Sequence, residues 1–381
     1  MGALDGLKIA DFSWVGAGPR STKDLADNGA TVIKIESRKR LDLGRMSPPF
    51  AGDPKNPDGS AFFAQTNTSK KSVTINLSDP RGIEIAKKLV AWADVVVENF
   101  GPGFMERIGL SYDTLKEIKP DIILASVSVA GKTGPMAGFR GYGNSAAAHS
   151  GHAWLTGWPD RDPHMPPLAY GDVVAPMFLT VAILAALEHH ARTGEGQHLD
   201  ISQIEPMVHV AADLYASDVA EKTGNDDATY LVHGAFPASG DDQWVAIAVE
   251  TSAQGAALET VLGLASGAGL DPNAIAEKTA QLDKFTLFDR LSAVGVSIGP
   301  VLDGKDLNES AELTSSHHFV KSEHKVLGKS NMPAPPYALS KTPWSLTAAP
   351  LLGEHNSEVF IDMLGLDAAE IDHLIAEGAL A

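Results

Sequence analysis

Leu7-Lys8-Ile9-Ala10-Asp11-Phe12, the turn Ser13-Trp14-Val15-Gly16-Ala17-Gly18-Pro19-Arg20, a helical segment to about Asn28, and Ala30-Thr31-Val32-Ile33-Lys34-Ile35-Glu36 together decide the fold class. Two apolar strand-like runs flank a helix that Gly29 closes, and glycines occupy the first strand-to-helix turn. Strand, crossover helix and second strand in about 30 residues make a βαβ unit, which places a Rossmann-like parallel sheet at the start of the chain.

The same rhythm continues outward. Lys70–Leu77, Asp94–Phe100 and Asp121–Val129 read as further strands, with helices over Pro80–Trp92 and near 103–108 and 111–118. Alternation sustained to residue 130 predicts an α/β sheet covered on both faces. Beyond it, Val173–Leu187 holds no charge over 15 residues, preceded by Asp172 and followed by Arg192-Thr193-Gly194. This pattern predicts a buried helix with Asp172 as N-cap, Pro176 in the first turn and Gly194 as left-handed cap. Ile201–Ala220 reads as a second long helix, broken at Gly224-Asn225-Asp226-Asp227. His233–Val249 reads as strand, turn, strand, opening a smaller α+β domain with helices near 254–263, 272–281 and 284–294. The expected organisation is a large Rossmann-like domain over 1–200, a linker helix over 201–229, a small α+β domain over 230–325, and a return to the large domain over 326–381.

The chain has 381 residues, 44% of them hydrophobic and 20% charged, a composition of ordinary globular proteins. A net charge of -18 argues against a broad nucleic-acid face but leaves room for an anionic small ligand on a local basic patch. No uncharged run reaches the roughly 18 to 20 residues of a membrane span, and the N-terminus lacks the pattern of a secretory signal. A cytoplasmic protein is expected. With no cysteine, thiolate nucleophiles and thiolate metal sites are excluded, which leaves carboxylate or hydroxyl chemistry; no metal is expected.

Asp172 is the candidate for that chemistry. A carboxylate at a helix entrance is held ionised by the helix field and can attack an activated acyl group; capping alone also accounts for it. A nicotinamide cofactor is disfavoured, because Ser21 stands where the dinucleotide fingerprint needs its third glycine. Ser37–Arg45 carries four cations, Arg38, Lys39, Arg40 and Arg45, on a loop after a strand, where phosphates bind; a solvated charge run is the plain alternative. His149 and His152 read as hydrogen-bonded helix residues.

From Leu4 to His355 these residues resemble the family III CoA-transferases. The likeness is carried by Ala17-Gly18-Pro19, Gly29–Glu36, Asn67–Val73, Ala93–Gly103, Ile108-Gly109-Leu110, Gly171-Asp172, Arg192–Gln197 and Leu352–His355, all in order. The resemblance implies an interlocked homodimer and an aspartate, here Asp172, that forms an acyl anhydride and then an aspartyl-CoA thioester. It also implies coenzyme A as acyl-CoA co-substrate and a small organic acid as acceptor. Asn99, Phe100 and Gly103 resemble the CoA-contacting segment, and Arg38 and its neighbours resemble phosphate partners. The full candidate CoA-binding set is Ala17, Arg38, Arg45, Lys70, Asn99, Phe100, Gly103, Arg107 and Lys132. Glycines near Gly134 and Gly171 are expected to supply backbone amides for the developing oxyanion. Racemases of the family carry Gly-His-Asp where this chain has Gly141-Tyr142-Gly143, which disfavours proton transfer at an α-carbon. Gly16 stands in place of the glutamine of formate-specific members, which turns the expectation towards larger acids. A catalytically silent CoA-binding protein is the third reading.

Overall fold

The computed structural model describes residues 1–216, 222, 224, 227–265 and 270–381. They fall into two compact units. The larger comprises Met1–Ala153, Met165–Asp218 and Glu312–Ala381, the smaller Trp154–His164 and Val219–Ala311.

The larger unit is built on six parallel strands: β1 Lys8–Asp11, β2 Thr31–Glu36, β3 Lys71–Thr74, β4 Val95–Glu98, β5 Ile123–Ser128 and β6 His198–Ser202. Their order is β3-β2-β1-β4-β5-β6. The expected parallel sheet is therefore present, with a strand at its β6 edge that the sequence reading had merged into a helix. Up to Val210 the helices, in order, are α1 Ala17–Asp27, α2 Ala61–Thr66, α3 Pro80–Trp92, α4 Phe104–Arg107, α5 Tyr112–Ile118, α6 Gly143–His149, α7 His152–Leu155, which runs across the boundary at Trp154, α8 Gly171–Thr193 and α9 Ile204–Val210.

Strand periodicity of two sorts the core into opposite faces. Ile9, Val32, Val95, Val97 and Ile123 pack with Leu25 of α1 and Leu179, Ile183 and Ala186 of α8. Ala10, Ile33, Val73, Val96 and Leu124 pack with Ile85 and Leu89 of α3, and with Val359, Phe360, Ile371 and Leu374 near the C-terminus. Both ends of the chain thus share one core. A hairpin of β10 and β11, Phe319–His324 and Gly328–Pro333, groups with this unit.

Three local expectations are corrected. Tyr170, not Asp172, is the N-cap of α8, and it makes no side-chain cap bond; Asp172 lies one residue inside the helix. Pro176 sits in the second turn, where its missing N–H leaves the Asp172 carbonyl without its usual helical donor. Gly194 does take the left-handed conformation, at φ 74°. The helix is buried on one side only. An 18-residue window of this 23-residue helix reaches a mean hydropathy of 1.7, enough by length and composition to cross a membrane. Its buried side nonetheless packs on the sheet as a core helix does. Finally, the expected helix Ile201–Ala220 begins only at Ile204, because Ile201 and Ser202 complete β6 and the Ser202 hydroxyl accepts from the amides of Ile204 and Glu205. It breaks at Ala211, resumes over Ala212–Ala216, and residues 217–220, 225 and 226 lie outside the described residues.

The smaller unit holds an antiparallel sheet of β7 Val232–Pro237, β8 Trp244–Val249 and β9 Ser297–Pro300. Helices Ser252–Leu262, Pro272–Thr279 and Lys284–Ser292 close its core around Val245, Ile247, Leu258, Ile275, Leu287 and Leu291.

Candidate active site

Strand order reverses between β1 and β4, and open α/β sheets bind ligands at such a switch point, beyond the carboxyl ends of their strands. A cavity of about 1010 Å³ lies there, bounded by the loop after β1 (Trp14–Gly16), the loop after β4 (Asn99–Pro102), the end of β5, and Asp172 and Gln203.

The two loops are stitched together by one side chain. Asn99 accepts from the Trp14 amide at 2.7 Å through Oδ1 and donates to the Trp14 carbonyl at 2.7 Å through Nδ2. The next residue, Val15, adopts φ 65°, a left-handed conformation that a β-branched side chain rarely tolerates. Asp42 helps hold it there, accepting from the Val15 amide at 2.9 Å while it pairs with buried Lys34 at 2.9 Å. Backbone strain at a cavity mouth, clamped from both sides, is a frequent feature of functional sites.

Asp172 closes the inner end. Oδ1 accepts from Gln203 Nε2 at 2.8 Å, and the Gly143 amide also bonds the carboxylate. A Cβ at Gly143 would stand 2.8 Å from Oδ2, and one at Gly16 would stand 3.1 Å from Asp172 Cβ and Cγ, so bare backbone surrounds this side chain. Burial raises the Asp172 carboxyl above its ordinary value of 3.8, against the opposing pull of Gln203, Arg20 and Gly143. A buried carboxylate held by few donors is more basic, and more nucleophilic, than one in water.

The candidate CoA-binding residues divide. Asn99, Phe100 and Arg107 border the cavity, as do Lys39, Arg40 and Arg140. Phe100 meets Trp14 edge-on at 5.7 Å and Phe104 at 4.3 Å, and the Arg40 guanidinium lies 5.5 Å from the Trp14 ring. Ala17 is buried in the first turn of α1, and Gly103 caps α4 at φ 73°. Arg38 is exposed and donates to the Leu352 carbonyl at 3.0 Å. Lys132 pairs with Glu98 at 3.1 Å and donates to the Phe100 carbonyl at 2.9 Å, which braces the loop after β4.

Arg45 and Lys70 require correction as ligand cations. Arg45 is fully buried, forked onto Glu36, paired with Asp58 and stacked 3.6 Å from the Phe63 ring centre. Lys70 is buried against Asp11 at 3.0 Å and Asn67 at 2.9 Å, and burial pulls its ammonium down to about 8. Both hold the fold together beneath the sheet's carboxyl edge. Gly143 and Gly16 are the glycines that lie against the Asp172 side chain, while Gly171 packs on Ala146. His149 is exposed and edges Phe139, and His152 bonds Ser150; neither borders the cavity.

Gln203, Arg20 and Arg140 were not singled out from the sequence. Arg20 sits in α1 with its Nε buried and unbonded among the described residues, and burial lowers its guanidinium despite the nearby Asp172 and Asp24 carboxylates. Gln203 falls where β6 hands over to α9, so only reading His198–Ser202 as a strand would have pointed its side chain at Asp172.

Residues 4–356 match the family model described as CoA-transferase family III. The chain is 31% identical to succinyl-CoA:glutarate CoA-transferase of Mus musculus, over 100% of this chain and 91% of that protein. It is 29% identical to formyl-CoA:oxalate CoA-transferase of Streptomyces avermitilis, over 99% of each. Among solved structures, a CAIB/BAIF family protein from Brucella suis superposes with a TM-score of 0.86 at 29% identity, covering 95% of this chain and 99% of that one. With the parallel sheet, the switch-point cavity and the match over nearly the whole length all in agreement, the chain belongs to CoA-transferase family III.

Proposed function

We propose that this protein moves coenzyme A from an acyl-CoA donor to a free carboxylic acid, with Asp172 as the nucleophile. The observation that carries the reading is a buried, basic carboxylate lining the same cavity as Lys39, Arg40 and Arg107. CoA suits that cavity: its phosphates take the cations, as arginine forks bind phosphate oxygens, and its apolar arm lies along Phe100 and Trp14. Attack by Asp172 on the donor thioester forms a mixed anhydride and releases CoA thiolate. The thiolate then takes the aspartyl carbonyl, and the acceptor carboxylate reverses both steps. Two easier acyl transfers replace one hard one.

Succinyl-CoA and glutarate, the pair named for the mouse relative, are the first substrates to try. A second copy of the chain covers the outer side of α8, where Met177, Val181 and Leu184 are 59%, 66% and 41% exposed; such an apolar stripe on a helix otherwise fit for a core suits an interface. The cytoplasm is the proposed compartment.

Mass spectrometry of wild type and Asp172→Ala after incubation with an acyl-CoA panel, quenched with hydroxylamine, tests the reading. A hydroxamate at Asp172, in wild type only, is expected. If Asp172 stays unmodified with every donor that binds, while solvent deuterium enters the α-carbon of the acyl group, the reaction is proton transfer instead.

A further inference from the structure

We infer that Gln203 is the oxyanion donor for the two additions at the carbonyl carbon of Asp172, an inference that rests on the CoA-transferase reading above. Its Nε2 stands 2.8 Å from Asp172 Oδ1, within the range for a donor aimed at developing charge. The other carboxylate oxygen, Oδ2, faces Gly143. When Oδ2 attacks the donor thioester, the new bond is Oδ2 to acyl carbon, the carbon–sulfur bond breaks, and CoA leaves as thiolate with the bonding pair. Oδ1 is then the carbonyl oxygen of the aspartyl half of the anhydride.

In the second step the thiolate sulfur adds to Cγ, and the carbonyl π electrons move onto Oδ1. Collapse restores that double bond and breaks Cγ–Oδ2, so the first acid departs as its carboxylate and Asp172 is left as the CoA thioester. In the third step the acceptor carboxylate adds to Cγ, charge again gathers on Oδ1, and CoA thiolate is expelled. No net proton is consumed. In both additions the negative charge appears on the atom that Gln203 already touches, so the donor need not move.

The backbone supports this placement. The Gln203 amide donates to the carbonyls of Ser128 at 2.9 Å and Val129 at 3.1 Å, which pins the residue to the end of β5. Ser202 next to it donates to the Val129 carbonyl at 3.2 Å. Gln203 Oε1, by contrast, is buried with no hydrogen-bond partner among the described residues. A purely structural amide satisfies both of its ends; this one leaves its acceptor unmet while its donor end is committed to the carboxylate.

The prediction separates the steps. Acylation of Asp172 gathers charge on the donor's own carbonyl oxygen, away from Gln203, whereas both later additions need the Oδ1 donor. Gln203→Met and Gln203→Asn are compared with wild type by rapid-quench intact-mass spectrometry and steady-state turnover, using succinyl-CoA with glutarate or whichever panel donor acylates wild type. Turnover is expected to fall about 10²- to 10³-fold in Gln203→Met, the usual cost of one oxyanion donor. Acylation should stay within a few-fold of wild type, so acyl-enzyme accumulates at the expense of the CoA thioester. Retained acylation also certifies a folded site, and Gln203→Asn, whose amide is one methylene too short to reach Oδ1, should lose turnover in the same steps and decides should the methionine variant not fold. Turnover within about threefold of wild type in the variants overturns the role, and so does an equal slowing of acylation and of the later steps. A wild type that forms no adduct and transfers no CoA with any donor overturns this inference and the reading beneath it together.

Discussion

Arg45 grips Glu36 through two hydrogen bonds, Nε to Oε2 at 2.6 Å and Nη2 to Oε1 at 2.8 Å, with both side chains out of solvent. Burial alone would raise the Glu36 carboxyl, but Arg45, Lys34 and Ser72 outweigh it and hold it below its ordinary value of 4.5. Arg45→Met leaves that buried carboxylate with only Lys34 and Ser72 to offset its charge, and removing one partner of a buried pair costs about 3 to 5 kcal/mol. Denaturant unfolding should show that loss at pH 7. The sign follows from linkage: a depressed folded-state carboxyl contributes stability above 4.5 that is lost as pH falls through the folded value. The variant should therefore show a shallower loss of stability in acid than wild type, and an equal or steeper loss would contradict the pairing.

Arg40 and Arg107 border the cavity and are not committed to a buried carboxylate as Arg45 is. Alanine at either position should raise KM for acyl-CoA about tenfold with kcat little changed, the signature of lost uniform binding. The effect should shrink at high salt, where exposed charges are screened. A fall in kcat at unchanged KM would place these arginines nearer the reacting carbon than the cavity mouth.

Asp172 should be costly to the fold. Its folded-state carboxyl is raised above the ordinary 3.8, so its contribution to stability is present below that value and is lost as pH rises through the folded one. Asp172→Asn is neutral throughout and keeps an oxygen for Gln203. Its melting temperature should match wild type in acid and equal or exceed it at pH 7, while turnover disappears. A variant less stable than wild type at pH 7 would mean that the ionised carboxylate stabilises the helix entrance after all.

The frame was legible because strand and helix periods are local. Lys8–Glu36 states a βαβ unit in its own apolar pattern, and Asp172 stands out by being the one acid before a long uncharged run. The errors share a different cause. Arg45 and Lys70 look like phosphate ligands by their neighbours in sequence, but Arg45 folds back nine residues onto Glu36, and Lys70 meets Asp11 from 59 residues away. Gln203 and Gly143 touch Asp172 from 31 and 29 residues away, a proximity that no local pattern encodes. The start of the second long helix differs for a third reason, since Ile201 and Ser202 finish β6 before the Ser202 hydroxyl accepts from the amides of Ile204 and Glu205.

Gly143 gives the sharpest structural test of the candidate site. An added Cβ would sit 2.8 Å from both the Asp172 amide nitrogen and Oδ2, contacts that side chains do not tolerate without movement. The backbone nitrogen belongs to the first turn of α8 and cannot yield cheaply, so Gly143→Ala must displace the carboxylate or shift α6. Overpacking of this kind costs about 1 to 3 kcal/mol, and displacing a reacting group by about 1 Å can cost 10²-fold in rate. Gly138→Ala, whose Cβ would meet nothing within 4 Å, is the matched control from the preceding loop and should behave as wild type. Thermal melts and single-turnover acylation of the pair separate the two effects. A Gly143→Ala enzyme that acylates at the wild-type rate would show that the reacting carboxylate leaves this position when substrate binds.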